Sequence, residues 1–125
     1  MTGPFGGVPP SELLMTISRA DRDGFAVLAV QGEVDLSTGG RLAEVANDAL
    51  HAVEGQPVIL DLTEVEFLSS SGLGVLVALD DEARSLGTHL RLVVNNTRPV
   101  LHPIRTMGLD DVLSLFGTVD EAVAG

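Results

Sequence analysis

Asp61-Leu62-Thr63-Glu64-Val65-Glu66-Phe67-Leu68-Ser69-Ser70-Ser71-Gly72-Leu73-Gly74-Val75-Leu76 is the stretch whose reading decides the fold. It continues from Pro57-Val58-Ile59-Leu60, so residues 57–62 are apolar almost throughout, the pattern of a central strand buried on both faces. Beyond the serine triplet, Gly72, Val75, Leu76, Leu79, Ala83 and Leu86 recur at helical spacing. The segment therefore reads as a strand, a short connection and a polar triplet that opens an amphipathic helix.

Working upstream, Leu42, Val45, Ala46, Ala49, Leu50 and Val53 form another helical stripe, with Ser37 or Thr38 as candidate cap. Leu13–Ser18 and Phe25–Gln31 are short apolar runs separated by Ala20-Asp21-Arg22-Asp23-Gly24, a predicted β-hairpin. Downstream, His89–Val94 reads as a strand and Arg98–Met107 as a third helix ended by Gly108. Pro103 inside that helix removes a hydrogen bond and crowds the preceding turn, so the helix is expected to be short or kinked. Val112–Phe116 is a last short strand before a C-terminal helical turn. Strands alternating with helices imply an α/β sheet.

The chain has 125 residues, enough for one domain and too few for two. Residues 1–11 carry three Gly and three Pro, which predicts a flexible tail ahead of a domain over 12–125. Apolar residues make up 45% of the chain and aromatics 3%, so the core must be built of Leu, Val, Ile and Ala. Eighteen acidic against seven basic side chains give a formal charge of -11, which repels nucleic-acid phosphates and anionic lipid alike. Without Cys, disulfides, thiolate metal sites and cysteine nucleophiles are excluded. No basic leader precedes an apolar run, and no run approaches the roughly 18 residues that span a bilayer, so a cytoplasmic protein is expected.

A serine hydroxyl at a helix start can accept from free first-turn N–H groups and act as a plain cap. The same place suits a phosphate, because those N–H groups and the positive end of the helix dipole stabilise added negative charge. A phosphoryl group there adds a charge of about -1.5 to -2 and a hydrated bulk that opposes docking of an acidic or apolar partner. On a helical wheel Leu73 and Val77 fall away from the buried stripe, towards the side carrying Asp81 and Arg84. They are either covered by another segment or part of a docking patch.

The serine triplet before Gly72-Leu73-Gly74 resembles the signature segment of STAS domains. Gly32-Glu33-Val34-Asp35, the spacing to Asp61, and Met107-Gly108-Leu109 strengthen the resemblance to STAS anti-sigma factor antagonists over residues 12–124. The resemblance implies a mixed, mostly parallel sheet with helices packed mainly on one face. It implies an anti-anti-sigma factor that binds an anti-sigma factor, itself a serine kinase, and so releases a sigma factor. Phosphorylation of the serine directly before Gly-Leu-Gly, here Ser71, switches binding off, and a serine phosphatase would reverse it. By the same resemblance Asp35 and Ser70 lie beside the phosphoacceptor, and Asp35, Ser70, Gly72, Leu73, Gly74 and Val77 form the partner-binding set. Ser69 stands where the family often has an acidic residue, which leaves Ser69 and Ser70 as competing acceptors. The alternative reading is a STAS interaction or ligand-sensing module with the serines only capping the helix.

Other chemistries fit poorly. Gly72-Leu73-Gly74 lacks the third glycine of a dinucleotide fingerprint, since Val77 holds that position, and no P-loop motif exists. Asp61 near the end of a central strand suggests a two-component receiver, but the chain has no lysine to complete such a site. Ser71 is not in a G-x-S-x-G elbow, and His51, His89 and His102 lack triad or metal-ligand spacing. Asp80-Asp81-Glu82 reads as a solvated acidic helix face. No enzyme, cofactor or metal is expected, nor direct contact with nucleic acid or membrane.

Overall fold

Five strands form one sheet in the order β1-β2-β3-β4-β5 in the computed structural model, which describes residues 14–52, 55–95 and 98–125. The strands are β1 (Met15–Arg22), β2 (Phe25–Val34), β3 (Val58–Leu68), β4 (Leu90–Val93) and β5 (Ser114–Phe116). The helices are α1 (Gly39–Ala52), α2 (Ser70–Ser85), α3 (Arg98–Thr106) and α4 (Val119–Ala124). β1 and β2 pair antiparallel, and every later pair is parallel. The expected tail over residues 1–11 lies outside the described residues.

Because side chains alternate across a strand, the sheet has two faces of unequal size. Leu28 and Val30 of β2, Leu60 and Leu62 of β3, and Leu92 of β4 meet the apolar stripes of α1, α2 and α3 in the main core. On the reverse face a small cluster of Val27, Ile59 and Val93 is closed by Ala122 of α4. Three helices thus cover one face and one short helix the other, the mixed α/β arrangement expected of a STAS domain.

Three local expectations need correction. The first hairpin turns on Asp23-Gly24 alone, both at positive φ (51° and 86°), and Ala20, Asp21 and Arg22 continue the strand. An Asp-Gly pair suits the tight turn whose twist matches that of the strands it joins. Neither Ser37 nor Thr38 caps α1 through its hydroxyl. Thr38 is buried, and its Oγ1 donates to the Glu33 carbonyl (2.8 Å) and accepts from the Asp35 N–H (2.9 Å). Finally, β3 does not stop at Leu62 but runs to Leu68, which places Asp61 in mid-strand.

That last difference shapes the end of the sheet where the serine triplet lies. Ala29 pairs with Asp61 but Gln31 with Glu64, and Gly32 pairs with Val65 but Glu33 with Phe67. β3 therefore carries one extra residue at each of two β-bulges, and its buried positions read Leu62, Val65 and Leu68 in place of a strict alternation. Gly32, at φ 99°, packs so closely on the Leu14 backbone that no side chain fits. The lengthened strands end side by side: the Ser69 N–H donates to the Val34 carbonyl at 3.0 Å. Whatever follows Val34 is thereby set next to whatever follows Leu68.

Candidate functional site

Ser69 takes the capping position of α2 in extended backbone (φ -82°, ψ 173°), and its Oγ accepts from the Gly72 N–H at 3.1 Å. Ser70 and Ser71 occupy the first two helical positions and are exposed. Among the described residues the Ser71 hydroxyl has no hydrogen-bond partner. No acidic residue sits in the first turn, so the helix itself brings no carboxylate to the positive end of its dipole. An added phosphate on this turn would meet unpaired N–H groups and favourable charge.

Gly72 explains how close this turn lies to β2. A Cβ at that position would overlap the Val34 carbonyl oxygen and come within 2.8 Å of Leu68 Cδ1 and 2.9 Å of Val34 Cγ1. The residue after Val34 is Asp35, whose loop is therefore held beside the start of α2. Asp35 Oδ1 accepts from the Ser37 N–H (2.9 Å), the Ser37 hydroxyl (2.8 Å) and the Thr38 N–H (3.2 Å). The Ser37 hydroxyl is the largest cause that holds the Asp35 carboxyl below its ordinary value; burial, the next largest, opposes it, and the Ser37 and Thr38 N–H groups and the Thr38 hydroxyl add to the lowering. One carboxylate oxygen thus shapes the loop. At the loop's tip Leu36 is 85% exposed.

On the other side of α2 an apolar groove of about 420 Å³ is lined by Ser70, Leu73, Gly74, Val77, Ala78, Asp81, Met107 and Leu109. Its outer wall comes from the exit of α3. Gly108, at φ 69°, lets the chain reverse, and the Leu109 N–H returns to the Ile104 carbonyl at 2.9 Å, a Schellman-type ending. This ending leaves Met107 66% exposed beside α2. Gly74 borders the groove, and a Cβ there would meet nothing within 4 Å.

Of the residues singled out from sequence, Ser70, Leu73, Gly74 and Val77 share this groove, and Asp35 stands on the neighbouring loop. Leu73 is only 5% exposed and belongs to the main core, so it supplies floor more than surface. Gly72 is buried against β2 and offers a partner nothing to touch. The acidic run reads differently as well. Asp81 is exposed, but Asp80 is buried on the inner face of α2 with Arg84 Nη2 3.0 Å from its Oδ2. Burial raises its pKa above the ordinary value, against the opposing charge of Arg84. Sequence reasoning did not single out Leu36, and took Met107 only as part of the motif after the third helix. An apolar residue directly after the loop aspartate, and another before the helix-ending glycine, were the available signals.

The STAS domain profile matches residues 16–122. The anti-sigma-F factor antagonist RsfB of Mycobacterium tuberculosis is 36% identical over 112 residues, 89% of this chain and 88% of the relative. The crystal structure of an anti-sigma factor antagonist from Mycobacterium paratuberculosis superposes with a TM-score of 0.80 at 29% identity, covering 93% of this chain and 95% of the other. SpoIIAA of Bacillus, solved in its phosphorylated form, shares the fold at TM-score 0.61 and 18% identity, covering 87% and 97% of the two chains. Strand order, serine-opened helix and the matched span agree, and the chain belongs to the STAS domain family.

Proposed function

We propose that this protein is a cytoplasmic, non-enzymatic anti-sigma factor antagonist that captures an anti-sigma factor and is switched off by phosphorylation of Ser71. The observation that carries the switch is the division of labour among the serines. Ser69 already caps the helix through the Gly72 N–H, and among the described residues the exposed Ser71 hydroxyl makes no hydrogen bond. RsfB, an anti-sigma-F factor antagonist by name, supports the choice of partner. The docking surface is the Leu36 tip and Asp35 loop on one side of Ser71, and the groove of Ser70, Gly74, Val77 and Met107 on the other. A phosphate placed between them would set charge and water against an apolar contact. The partner is a serine kinase that supplies its own ATP, and a serine phosphatase restores the active form.

The test is peptide mass spectrometry after incubation with candidate anti-sigma kinases and Mg-ATP, joined to pull-down of the same kinases. The expected result is one phosphate on Ser71, capture by wild type and Ser71→Ala, and no capture by Ser71→Glu. Equal capture by Ser71→Ala and Ser71→Glu would remove the switch. A second reading, an interaction or ligand-sensing module, is favoured by the groove itself, whose volume falls in the range of small-molecule sites. In that case Ser71→Glu would leave partner binding intact.

A further inference from the structure

Five of the seven arginines are committed inside the molecule. Arg19 pairs with Asp21, Arg22 with Asp120 and Arg84 with Asp80. Arg41 donates to the Met15 carbonyl, while Arg91 donates to the Ala122 carbonyl and lies over the Phe25 ring. The other two, Arg98 and Arg105, are exposed and have no carboxylate within ion-pair distance among the described residues. Both are on α3. With His102 between them they stand at positions i, i+4 and i+7, one face of the helix.

Arg98 is the more telling of the pair. Arg105 lies in the last turn, where the helix dipole favours a cation, but Arg98 opens the helix at the positive end, where a cation is disfavoured. Among the described residues no carboxylate or carbonyl holds the Arg98 side chain. It borders two adjoining hollows. One, of about 250 Å³, is lined by Arg98, Leu101, His102 and Arg105. The other, of about 310 Å³, is lined by Arg98 and His102 together with Glu66, Phe67, Leu68, Pro99 and Pro103. Phe67 is 51% exposed there, an aromatic surface in the same hollow as Arg98.

We infer that this face of α3 is a second docking site that takes a short acidic segment of a partner protein carrying at least one apolar side chain. The carboxylates would pair with Arg98 and Arg105, and the apolar side chain would rest on Phe67 and Pro99. Charge complementarity selects the occupant. Guanidinium forks match carboxylates, whereas the -11 charge of the whole chain opposes long polyanions such as nucleic acid or an anionic bilayer. The site follows from α3 and Phe67 alone and holds whether or not Ser71 is phosphorylated.

The probe is a synthetic acetylated Glu-Leu-Asp-Asp-Leu-Glu peptide, titrated into nitrogen-15-labelled protein, with its Gln/Asn counterpart as control. The expected result is chemical-shift change centred on Phe67, Arg98, His102 and Arg105 with the acidic peptide only. Added salt should weaken it, and Arg98→Glu with Arg105→Glu should weaken it by about tenfold or more. The doubly substituted protein should keep its melting temperature, because neither arginine has an ion-pair partner among the described residues and the dipole gain at position 98 offsets the loss at position 105, and Ser71→Glu should bind the peptide as wild type does. Shifts confined to the groove of Leu73 and Met107, no shifts at all, or equal binding of single-stranded DNA or anionic vesicles would each overturn the assignment.

Discussion

At the start of α2 the Ser69 hydroxyl accepts from the Gly72 N–H, so removing it exposes an unsatisfied donor at a helix end packed on β2. Ser69→Ala should cost about 0.5–2 kcal/mol in urea unfolding, whereas Ser71→Ala should stay within about 0.5 kcal/mol of wild type. The reverse order would assign the cap to the wrong serine. Asp35 offers a second test at this scale. Its folded pKa lies below the unfolded value of about 3.9, so its contribution to stability is present above that value and is lost as pH falls through the folded pKa. Because the Ser37 hydroxyl is the largest cause, Ser37→Ala should move the Asp35 titration upward in carbon-13 NMR. An unmoved midpoint would mean that backbone N–H groups alone set it. The triplet was visible in sequence as a helix start, but which serine caps and which stays free depends on the backbone turning at Ser69, a one-residue matter that composition cannot express.

Two glycines on the same helix separate packing from recognition. Gly72 sits against Val34 and Leu68, and any side chain there must push β2 and α2 apart, so Gly72→Ala should destabilise by about 1–3 kcal/mol. Gly74 has open space where a Cβ would stand, and a helix interior ordinarily prefers Ala to Gly by about 1 kcal/mol. Gly74→Ala should therefore stabilise the domain while narrowing the groove and weakening capture of the anti-sigma factor. Chemical denaturation read beside a pull-down checks both, and a Gly74→Ala protein that is more stable yet binds as well as wild type would remove Gly74 from the docking surface. The stripes of α1 and α2 were legible because their apolar spacing is regular. The far half of β3 was not: its two bulges stretch the buried positions to Leu62, Val65 and Leu68, with Glu64 and Glu66 between them, and a period-2 reading stops at the first bulge. The groove was half legible for a similar reason. Leu73 and Val77 stood out on a helical wheel, but Met107 and Leu109 reach α2 only because Gly108 turns the chain back.

Across the whole molecule, the β2 and β3 extensions bring the Asp35 loop and the serine helix together at one end of the sheet, the surface proposed for docking. Stability there is set against an overall charge of -11, in which every further buried carboxylate adds to the self-repulsion of the compact state. Asp80 is such a group, 3% exposed on the inner face of α2 with Arg84 as its only ion-pair partner among the described residues. Burial raises its folded pKa above the unfolded value, so the native state holds this proton more tightly than the unfolded chain. Stability must then fall as pH rises from the unfolded value of about 3.9 through the raised folded pKa, and the full penalty of a buried charge, reduced by Arg84, remains above it. Asp80→Asn keeps the shape and removes the titration. Relative to wild type its stability should improve steadily as pH rises through this window and then level off, as measured by urea midpoints at successive pH values. A gap that shrinks with rising pH would mean that the Arg84 ion pair outweighs burial, and that Asp80 stabilises the fold as a charged group.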